Sequence, residues 1–301
     1  MFILRHKKIF FIFSGLLVLA AIVGIVSRGF NWGIDFTGGS VLEINYTDTV
    51  PTTAQVQATA KIALPSASVQ QVGTSGFLIR SAELTQAQKD DFLKTLGSTG
   101  KFEEKRFNTI GPSVGKELRA KSLVSIVLVS LAIILFVAFA FRSVTKPIAS
   151  WKYGIVVIMV LFHDVLIPAG AFAWWGIQVD TLFVVGLLTI LGVSVNDTIV
   201  VFDRIRENLK NLHHGKDALP FDQIVGKSIS ETFTRSVMTS VTVLLALLAL
   251  VLFGPDSTRE LSITMFLGMF FGTYSSIFVA APLLVVWNNW QEKRALSGKK
   301  K

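Results

Sequence analysis

Three ionisable side chains lie in segments that are otherwise apolar. Asp197 is near the end of an apolar run over residues 181–202, and His163 and Asp164 are adjacent near the middle of a run over residues 154–175. A charged side chain inside a bilayer costs a few kcal/mol on insertion scales, so such residues usually face a helix-bundle interior or a watery cavity and have a function. The chemistry indicated is the binding and release of protons along a relay.

Asp197 has two interpretations from the sequence. Because it lies about 8 Å from the end of the run, its side chain could reach the membrane interface and cap or pair with a loop residue. The positions before it on the same helix face are mostly small or polar, which suits close packing against another helix. They are Ser194, Val193, Thr189 and Gly186. This strip favours an interior position.

Arg235 opens a later apolar run from the same side of the membrane as the end of the run that contains Asp197. It could reach Asp197, or it could extend to the interface as a residue that sets topology. His163 and Asp164 form either a structural hydrogen-bonded pair or a second station of the relay. Together with Asn196, they are weaker candidates for the proton pathway than Asp197 and Arg235.

Six apolar runs of about 20 residues supply the elements that position these side chains, since a helix of that length crosses hydrocarbon roughly 30 Å thick. They cover residues 9–27, 122–141, 154–175, 181–202, 236–253 and 261–287. Of the 301 residues, 51% are hydrophobic and only 16% are charged, which a soluble domain does not match. We interpret the first run as an uncleaved anchor instead of a signal peptide, because no clear cleavage site follows it. Residues 221–233 have the pattern of an amphipathic helix that could lie at the interface.

The distribution of Lys and Arg predicts the topology, because basic residues stay on the cytoplasmic side of short loops. The basic residues cluster before the first run, in the loops after the second and fourth runs, and in the tail. They include Arg5, Lys7, Lys8, Arg142, Lys146, Lys152, Arg204, Arg206, Lys210, Lys216, Lys227, Lys293, Arg294 and Lys299 to Lys301. Both termini are therefore predicted to be cytoplasmic in a multi-pass protein of the bacterial inner membrane.

The formal charge of +9 is explained by membrane topology as well, since the basic residues of the chain flank the predicted spans, where they are attracted to anionic lipid. Nucleic-acid binding is therefore not expected. The chain has no cysteine, which excludes disulfides, thiolate metal sites and cysteine nucleophiles.

One mixed-composition segment separates the first two runs and is predicted to lie in the periplasm. Its strand and helix patterns follow the order β-α-β-β-α-β, which is that of a ferredoxin-like unit. Neither a metal-ligand cluster nor a nucleophile with a base is evident in it, so we expect a binding or lever module and no enzyme. The predicted domains are residues 1–28 with the first helix, 29–119 for this α+β domain, 120–290 for helices two to six, and 291–301 for a basic cytoplasmic tail.

Four motifs occur in order along the chain: GIDFTGG at 33–39, GPSVG at 111–115, VNDTIVVFDRIREN at 195–208 and TRSVMTS at 234–240. Taken alone, the glycines and Asp35 of the first motif indicate only a sharp, structured turn. In this order and with this layout, the chain resembles the SecD/SecF family over essentially its whole length. Gly33, Asp35, Gly38 and Gly39 match the signature that opens the family's periplasmic domain.

The resemblance implies a member of the resistance-nodulation-division superfamily that uses the proton motive force in late steps of protein export. It implies SecD, the SecYEG channel, YajC and the translocating polypeptide as partners, and neither cofactor nor metal. Asp197 matches the family's proton-pathway aspartate and Arg235 its companion arginine. Because the motifs occur only once, the chain corresponds to one six-helix half and needs a partner. The alternatives are a half of a small-molecule or lipid exporter of the same superfamily, and a passive scaffold of the translocon.

Overall fold

The structure is a computed structural model that describes residues 2–141, 149–212, 219–255 and 258–298. Its contacts divide the chain into two compact units, one of Met1–Asn31 with Val124–Lys301 and the other of Trp32–Leu123. Of the basic residues that predict the topology, Arg142, Lys146, Lys216 and Lys299 to Lys301 lie outside the described residues.

The chain begins with helical and short extended elements. They are α1 (Phe2–Arg5), α2 (Lys7–Arg28), β1 (Asn31–Trp32) and α3 (Ile34–Thr37). The α+β unit follows with β2 (Gly39–Tyr46), α4 (Thr53–Ala63), β3 (Ser68–Val72), β4 (Gly76–Ser81), α5 (Gln86–Leu96), a 3₁₀ turn (Gly97–Thr99) and β5 (Phe102–Ile110). From β2 to β5 this is the β-α-β-β-α-β order that the sequence predicts.

The sheet of this unit has the strand order β3-β4-β2-β5, and all three neighbouring pairs are antiparallel. Leu42 of the central strand β2 pairs with Ile79 on one side and with Phe107 on the other. Alternate strand residues face α4 and α5, because side chains alternate between the two faces of a strand. The buried core contains Leu42, Ile44, Phe77, Ile79, Val56, Ala60, Phe92 and Leu96.

Both helices of the unit begin with a capping box, in which a Thr hydroxyl and a Gln side chain satisfy free backbone amides reciprocally. Thr52 caps α4 with Gln55, and Thr85 caps α5 with Gln88. In each case the Gln Oε1 accepts from the backbone N–H of the Thr at 2.9 Å. These contacts fix where the two helices start.

The remaining elements are helical except for one short strand. They are α6 (Pro112–Ala140), α7 (Ser150–Trp175), β6 (Gln178–Val179), α8 (Thr181–Leu212), α9 (Phe221–Phe253), α10 (Arg259–Ser275), a π turn (Ser276–Ala280) and α11 (Ala281–Gly298). Among the described residues, six helices are long and apolar enough to cross a membrane. We call them spans one to six; they are α2, α6, α7, α8, α9 and the continuous stretch from α10 through α11.

Residues 221–233 are helical, as their amphipathic pattern predicts, but they form the first part of α9, which runs without a break from Phe221 to Phe253. Its first three turns carry polar residues and are invisible to a search for apolar runs. They nevertheless bury Ile224, Val225, Ser228 and Ile229 against the rest of the bundle. Tertiary packing therefore extends the helix beyond its apolar part.

Small residues let the spans approach closely. A Cβ on Gly170 of span three would lie 2.3 Å from Ala21 of span one, and a Cβ on Gly24 would lie 2.5 Å from Trp174. Spans four and six meet in the same way, since a Cβ on Gly268 would overlap Ile190 and one on Gly272 would lie 3.2 Å from the Ser194 Cβ. Such contacts are typical of helix pairs that associate in membranes.

Candidate functional site

Asp197 lies inside the helix bundle and not at a loop. Its side chain is 9% exposed. The Oδ2 atom accepts hydrogen bonds from the Ser240 hydroxyl of span five and the Thr273 hydroxyl of span six, each at 3.4 Å. Thr273 also donates to Ser240 at 2.7 Å, so the three side chains form a triangle. Asp197 is thus buried in the bundle, and its hydrogen-bond partners are side chains of neighbouring spans, not of a loop.

Asp164 of span three is buried completely, with 0% exposure. It forms a hydrogen bond with the His163 Nδ1 atom at 2.8 Å and accepts from Ser275 of span six at 2.9 Å. It also accepts a short hydrogen bond from Ser194 of span four. The predicted His163–Asp164 pair therefore exists, and its carboxylate links spans three, four and six.

The two carboxylates belong to one polar cluster, because Ser194 lies one helical turn before Asp197 on span four. We call this set the carboxylate–hydroxyl cluster; its members are His163, Asp164, Ser194, Asp197, Ser240, Thr273 and Ser275. A cavity of about 30 Å³ borders Asp197 and Ser194 and is otherwise lined mainly by apolar side chains of spans four to six. It has room for about one water molecule. Hydrogen bonds around Asp164 join spans three, four and six, and those around Asp197 join spans four, five and six.

The π turn at Ser276 lies next to the cluster. Ser276 shares a hydrogen bond of 2.8 Å with Thr198 of span four, and Thr198 donates to the Ser194 carbonyl at 3.1 Å. A π turn often marks a functional position in a helix. Here the π turn lies between Ser275, which contacts Asp164, and α11, the second part of span six.

Arg235 and Asn196 are not part of the cluster in this structure. Arg235 is exposed on span five, one and a half turns before Ser240, and it makes no ion pair with Asp197. Asn196 is exposed on the face of span four opposite the bundle. Among the described residues, no Lys or Arg side chain lies within 4 Å of Asp164 or Asp197. The pairing of Arg235 with Asp197 stays a prediction.

A second polar contact, which the sequence analysis missed, joins the ends of spans four and five. Glu231 accepts from Arg204 at 2.6 Å and from Asn208 at 2.8 Å, and Asn208 also donates to Ser228 at 3.0 Å. From the sequence, Arg204 was predicted only to be one of the basic residues that set the membrane topology. The available signal was the polar i, i+4 spacing of Arg204 and Asn208 within the third motif.

The glycines of the signature motif meet the second motif at the base of the α+β unit. Gly38 and Gly39 have φ angles of 76° and 131°, which favour glycine. A Cβ on Gly38 would lie 2.8 Å from the Pro112 Cα, and one on Gly115 would lie 2.9 Å from the Gly38 nitrogen. Gly33 precedes α3, whose first turn contains Asp35. The two motifs thus form one backbone-to-backbone contact.

Among the described residues, no group of three or more His, Asp or Glu side chains is arranged to hold a metal ion. The carboxylate–hydroxyl cluster can bind protons and rearrange hydrogen bonds between spans.

Comparisons with known proteins agree with this layout. The family described as Protein export membrane protein SecD/SecF, C-terminal, matches residues 88–290, and the SecD/SecF GG motif matches residues 23–50. The protein translocase subunit SecF of Thermobaculum terrenum is 39% identical over 306 residues, covering 95% of this chain and 94% of that protein. The protein translocase subunit SecDF of Thermus thermophilus is 35% identical over 290 residues.

The crystal structure of SecDF from Thermus thermophilus, described as a translocon-associated membrane protein, has a TM-score of 0.82 at 33% identity over 95% of this chain. This chain spans only 38% of that SecDF chain. The two family matches together include the signature glycines and both candidate residues Asp197 and Arg235. Because the family model matches most of the chain and a SecF relative of nearly equal length is 39% identical, the chain belongs to the SecD/SecF family of protein export membrane proteins.

Proposed function

We propose that this chain is an auxiliary, non-enzymatic subunit of the Sec protein translocase that acts with SecD to couple the proton motive force to late steps of protein export. The observation that carries the proposal is the burial of Asp197 between hydroxyl groups of spans five and six. A carboxylate in that position titrates inside the bundle instead of in bulk solvent. Gain or loss of a proton then acts directly on contacts between spans.

The topology we propose is a multi-pass protein of the bacterial inner membrane with both termini in the cytoplasm. The α+β unit, a ferredoxin-like domain, is then periplasmic. The basic residues at one end of the spans support this orientation. Emerging polypeptide would meet the α+β unit on the outer side, while the proton-binding cluster lies in the membrane.

The proposed coupling step is a change in hydrogen bonding at Asp197. An ionised carboxylate only accepts hydrogen bonds, whereas a protonated carboxyl group also donates one. Protonation at Oδ2 therefore requires Ser240 or Thr273 to change its role, and these residues belong to different spans. A proton that crosses the membrane releases about 2.3 kcal/mol per 100 mV, which is enough to bias two arrangements of spans four, five and six.

Arg235 takes part in the proposal as the partner of Asp197 in the second arrangement. It is exposed on span five and precedes Ser240 by about 7.5 Å along the helix axis. A movement of span five by about one turn would bring its guanidinium to the level of Asp197. The two residues would then alternate between a hydroxyl-bound and an ion-paired state.

The partners we propose are SecD, the SecYEG channel, YajC and the polypeptide in transit. Support for SecD comes from the SecDF relative, of which this chain matches 38%. Asn196 and Arg235 support it further, because polar side chains exposed at this position in spans four and five are costly in lipid and favour cover by another membrane protein.

The test is Asp197→Asn in cells that lack the native copy, at normal abundance of the protein. We expect the proton-driven export rate of a secreted protein to fall at least tenfold, since the amide cannot exchange a proton. The matched control is Asp203→Asn, which makes the same chemical change on the same helix at an exposed side chain. Unimpaired export with Asp197→Asn and with Arg235→Gln, combined with loss of export when the protein is absent, would establish the passive scaffold instead.

A further inference from the structure

Lys152 is a buried cation at the start of span three. Its relative exposure is only 5%, although lysine is among the residues least often buried. The Nζ atom lies 5.4 Å from the centre of the Trp151 ring and 5.8 Å from that of the Trp287 ring. The two indole rings contact each other edge to face, with centroids 5.9 Å apart. Lys152 is thus held against two aromatic rings.

The ammonium group of Lys152 has no anionic partner in the described parts of the chain. Neither an ion pair within 4 Å nor a hydrogen bond joins its Nζ atom to another described residue. The preceding segment, residues 142–148, contributes Arg142 and Lys146 to the sequence and no acidic residue. Buried charges are normally paired, and contact with ring faces offsets only part of the loss of hydration. An anion from outside the chain would complete this environment.

The position of Lys152 in the bundle indicates where that anion comes from. Lys152 lies at the end of the helix bundle where span three starts and span six finishes. Trp151 is 56% exposed there, and tryptophan concentrates at the level of lipid headgroups. Gln291 lies one helical turn beyond Trp287, and its buried Oε1 atom has no hydrogen-bond partner among the described residues. The exposed Trp151 therefore indicates that this end of spans three and six lies at the level of the headgroups.

We propose that Lys152, held by Trp151 and Trp287, binds the phosphate group of an anionic phospholipid in the leaflet at the start of span three. The ammonium would form a charge-assisted hydrogen bond with a phosphate oxygen. Inorganic phosphate offers the same acceptor oxygens, but it has no acyl chain that could pack against the exposed Trp151 ring. Basic pockets between spans are known to select anionic headgroups.

The experiment uses the full chain purified in a neutral detergent and titrated with phosphatidylglycerol or phosphatidylcholine, with bound lipid counted by native mass spectrometry. We expect the wild type to bind phosphatidylglycerol at least fivefold more tightly than phosphatidylcholine. Lys152→Met should weaken phosphatidylglycerol binding about tenfold, whereas Lys152→Arg should stay within threefold of the wild type. Lys210→Met, at an exposed lysine near the end of span four, is the matched control and should change binding less than twofold.

Thermal unfolding supplies a second measurement. Phosphatidylglycerol should raise the unfolding temperature of the wild type and of Lys152→Arg, but not that of Lys152→Met, because a ligand stabilises only a state that binds it. Should the methionine variant not fold, equal shifts of the wild type with the two lipids would overturn the proposal. Retained phosphatidylglycerol preference in Lys152→Met would overturn it as well. Displacement of the lipid by millimolar inorganic phosphate would assign the site to free phosphate and refute the lipid assignment.

Discussion

The two carboxylates of the bundle are held in different ways. Asp164 has three partners, His163, Ser194 and Ser275, at ordinary or short hydrogen-bond distances. Asp197 has two partners at 3.4 Å and borders a cavity. Hydrogen bonds weaken at such lengths, so Asp197 is held less firmly than Asp164. Asp164 therefore suits a fixed structural position, and Asp197 suits one that changes state.

This difference predicts unequal effects of substitution on stability. Asp164→Ala leaves His163 and Ser194 without their side-chain partner, whereas Ser275 keeps a bond to the Gly272 carbonyl, and it should lower the free energy of unfolding by about 3 kcal/mol. Asp197→Ala should lower it by about 1 kcal/mol, because its hydroxyl partners also bond to each other or to the backbone. Unfolding in detergent measures both values. Asp164→Asn, which keeps an acceptor oxygen, is the control and should lose less than Asp164→Ala; equal losses at positions 164 and 197 would contradict the argument.

The sequence could predict the carboxylates but not their partners. Asp197, His163 and Asp164 stand out because ionisable residues are rare in apolar runs. Ser240, Thr273 and Ser275 do not stand out, since hydroxyl side chains are common in spans and normally bond to their own helix. Their meeting depends on how spans four, five and six pack. The position of Arg235 outside the cluster could not be predicted either, because a helical pattern does not fix the rotation of a span against its neighbours.

At the level of elements, the close contact between spans four and six requires a glycine at position 268, where a side chain would overlap Ile190. A Cβ on Gly268 would lie 2.1 to 2.8 Å from three side-chain atoms of Ile190, which is itself buried. The four-residue repeat of Thr264, Gly268, Gly272 and Ser276 predicts a close helix contact, and the structure identifies span four as the helix that makes it.

Gly268→Ala should therefore destabilise the protein by about 1–2 kcal/mol, because overpacking outweighs the higher helix propensity of alanine. In the double variant with Ile190→Ala the loss should be at least about 1 kcal/mol smaller than the sum of the single losses, as expected for residues in contact. Unfolding by titration with dodecyl sulfate measures the four proteins. Gly192→Ala on span four, where a Cβ meets nothing within 4 Å, is the matched control. Additive losses would show that the two residues do not contact each other.

The apolar parts of the helices were predictable and their polar extensions were not. Span four continues to Leu212 and span five begins at Phe221, beyond the runs that end at 202 and begin at 236. These extensions are stabilised by the contacts of Glu231 with Arg204 and Asn208, which a hydropathy pattern does not reveal. Alternation identifies a strand without identifying its neighbours, so a strand order for the α+β unit could be expected only from the predicted ferredoxin-like arrangement of its elements.

At the scale of the whole molecule, the proposed topology places the α+β unit and the end of span four on opposite sides of the membrane. The absence of cysteine makes this measurable with single reporters. Thr74→Cys, in the exposed turn between β3 and β4, should react with a membrane-impermeant maleimide added to cells with a permeabilised outer membrane. Lys210→Cys should react only after the inner membrane is opened. The reverse pattern would overturn the orientation.

The capping boxes of α4 and α5 have a consequence under the conditions of active export. A membrane that maintains a proton gradient keeps its outer surface more acidic than the cytoplasm. Glutamate at the third helical position would lose strength as an acceptor wherever it became protonated, but Gln55 and Gln88 do not titrate. The hydrogen bonds that start both helices are therefore independent of acidification on the side of the membrane where the proposed topology places this unit.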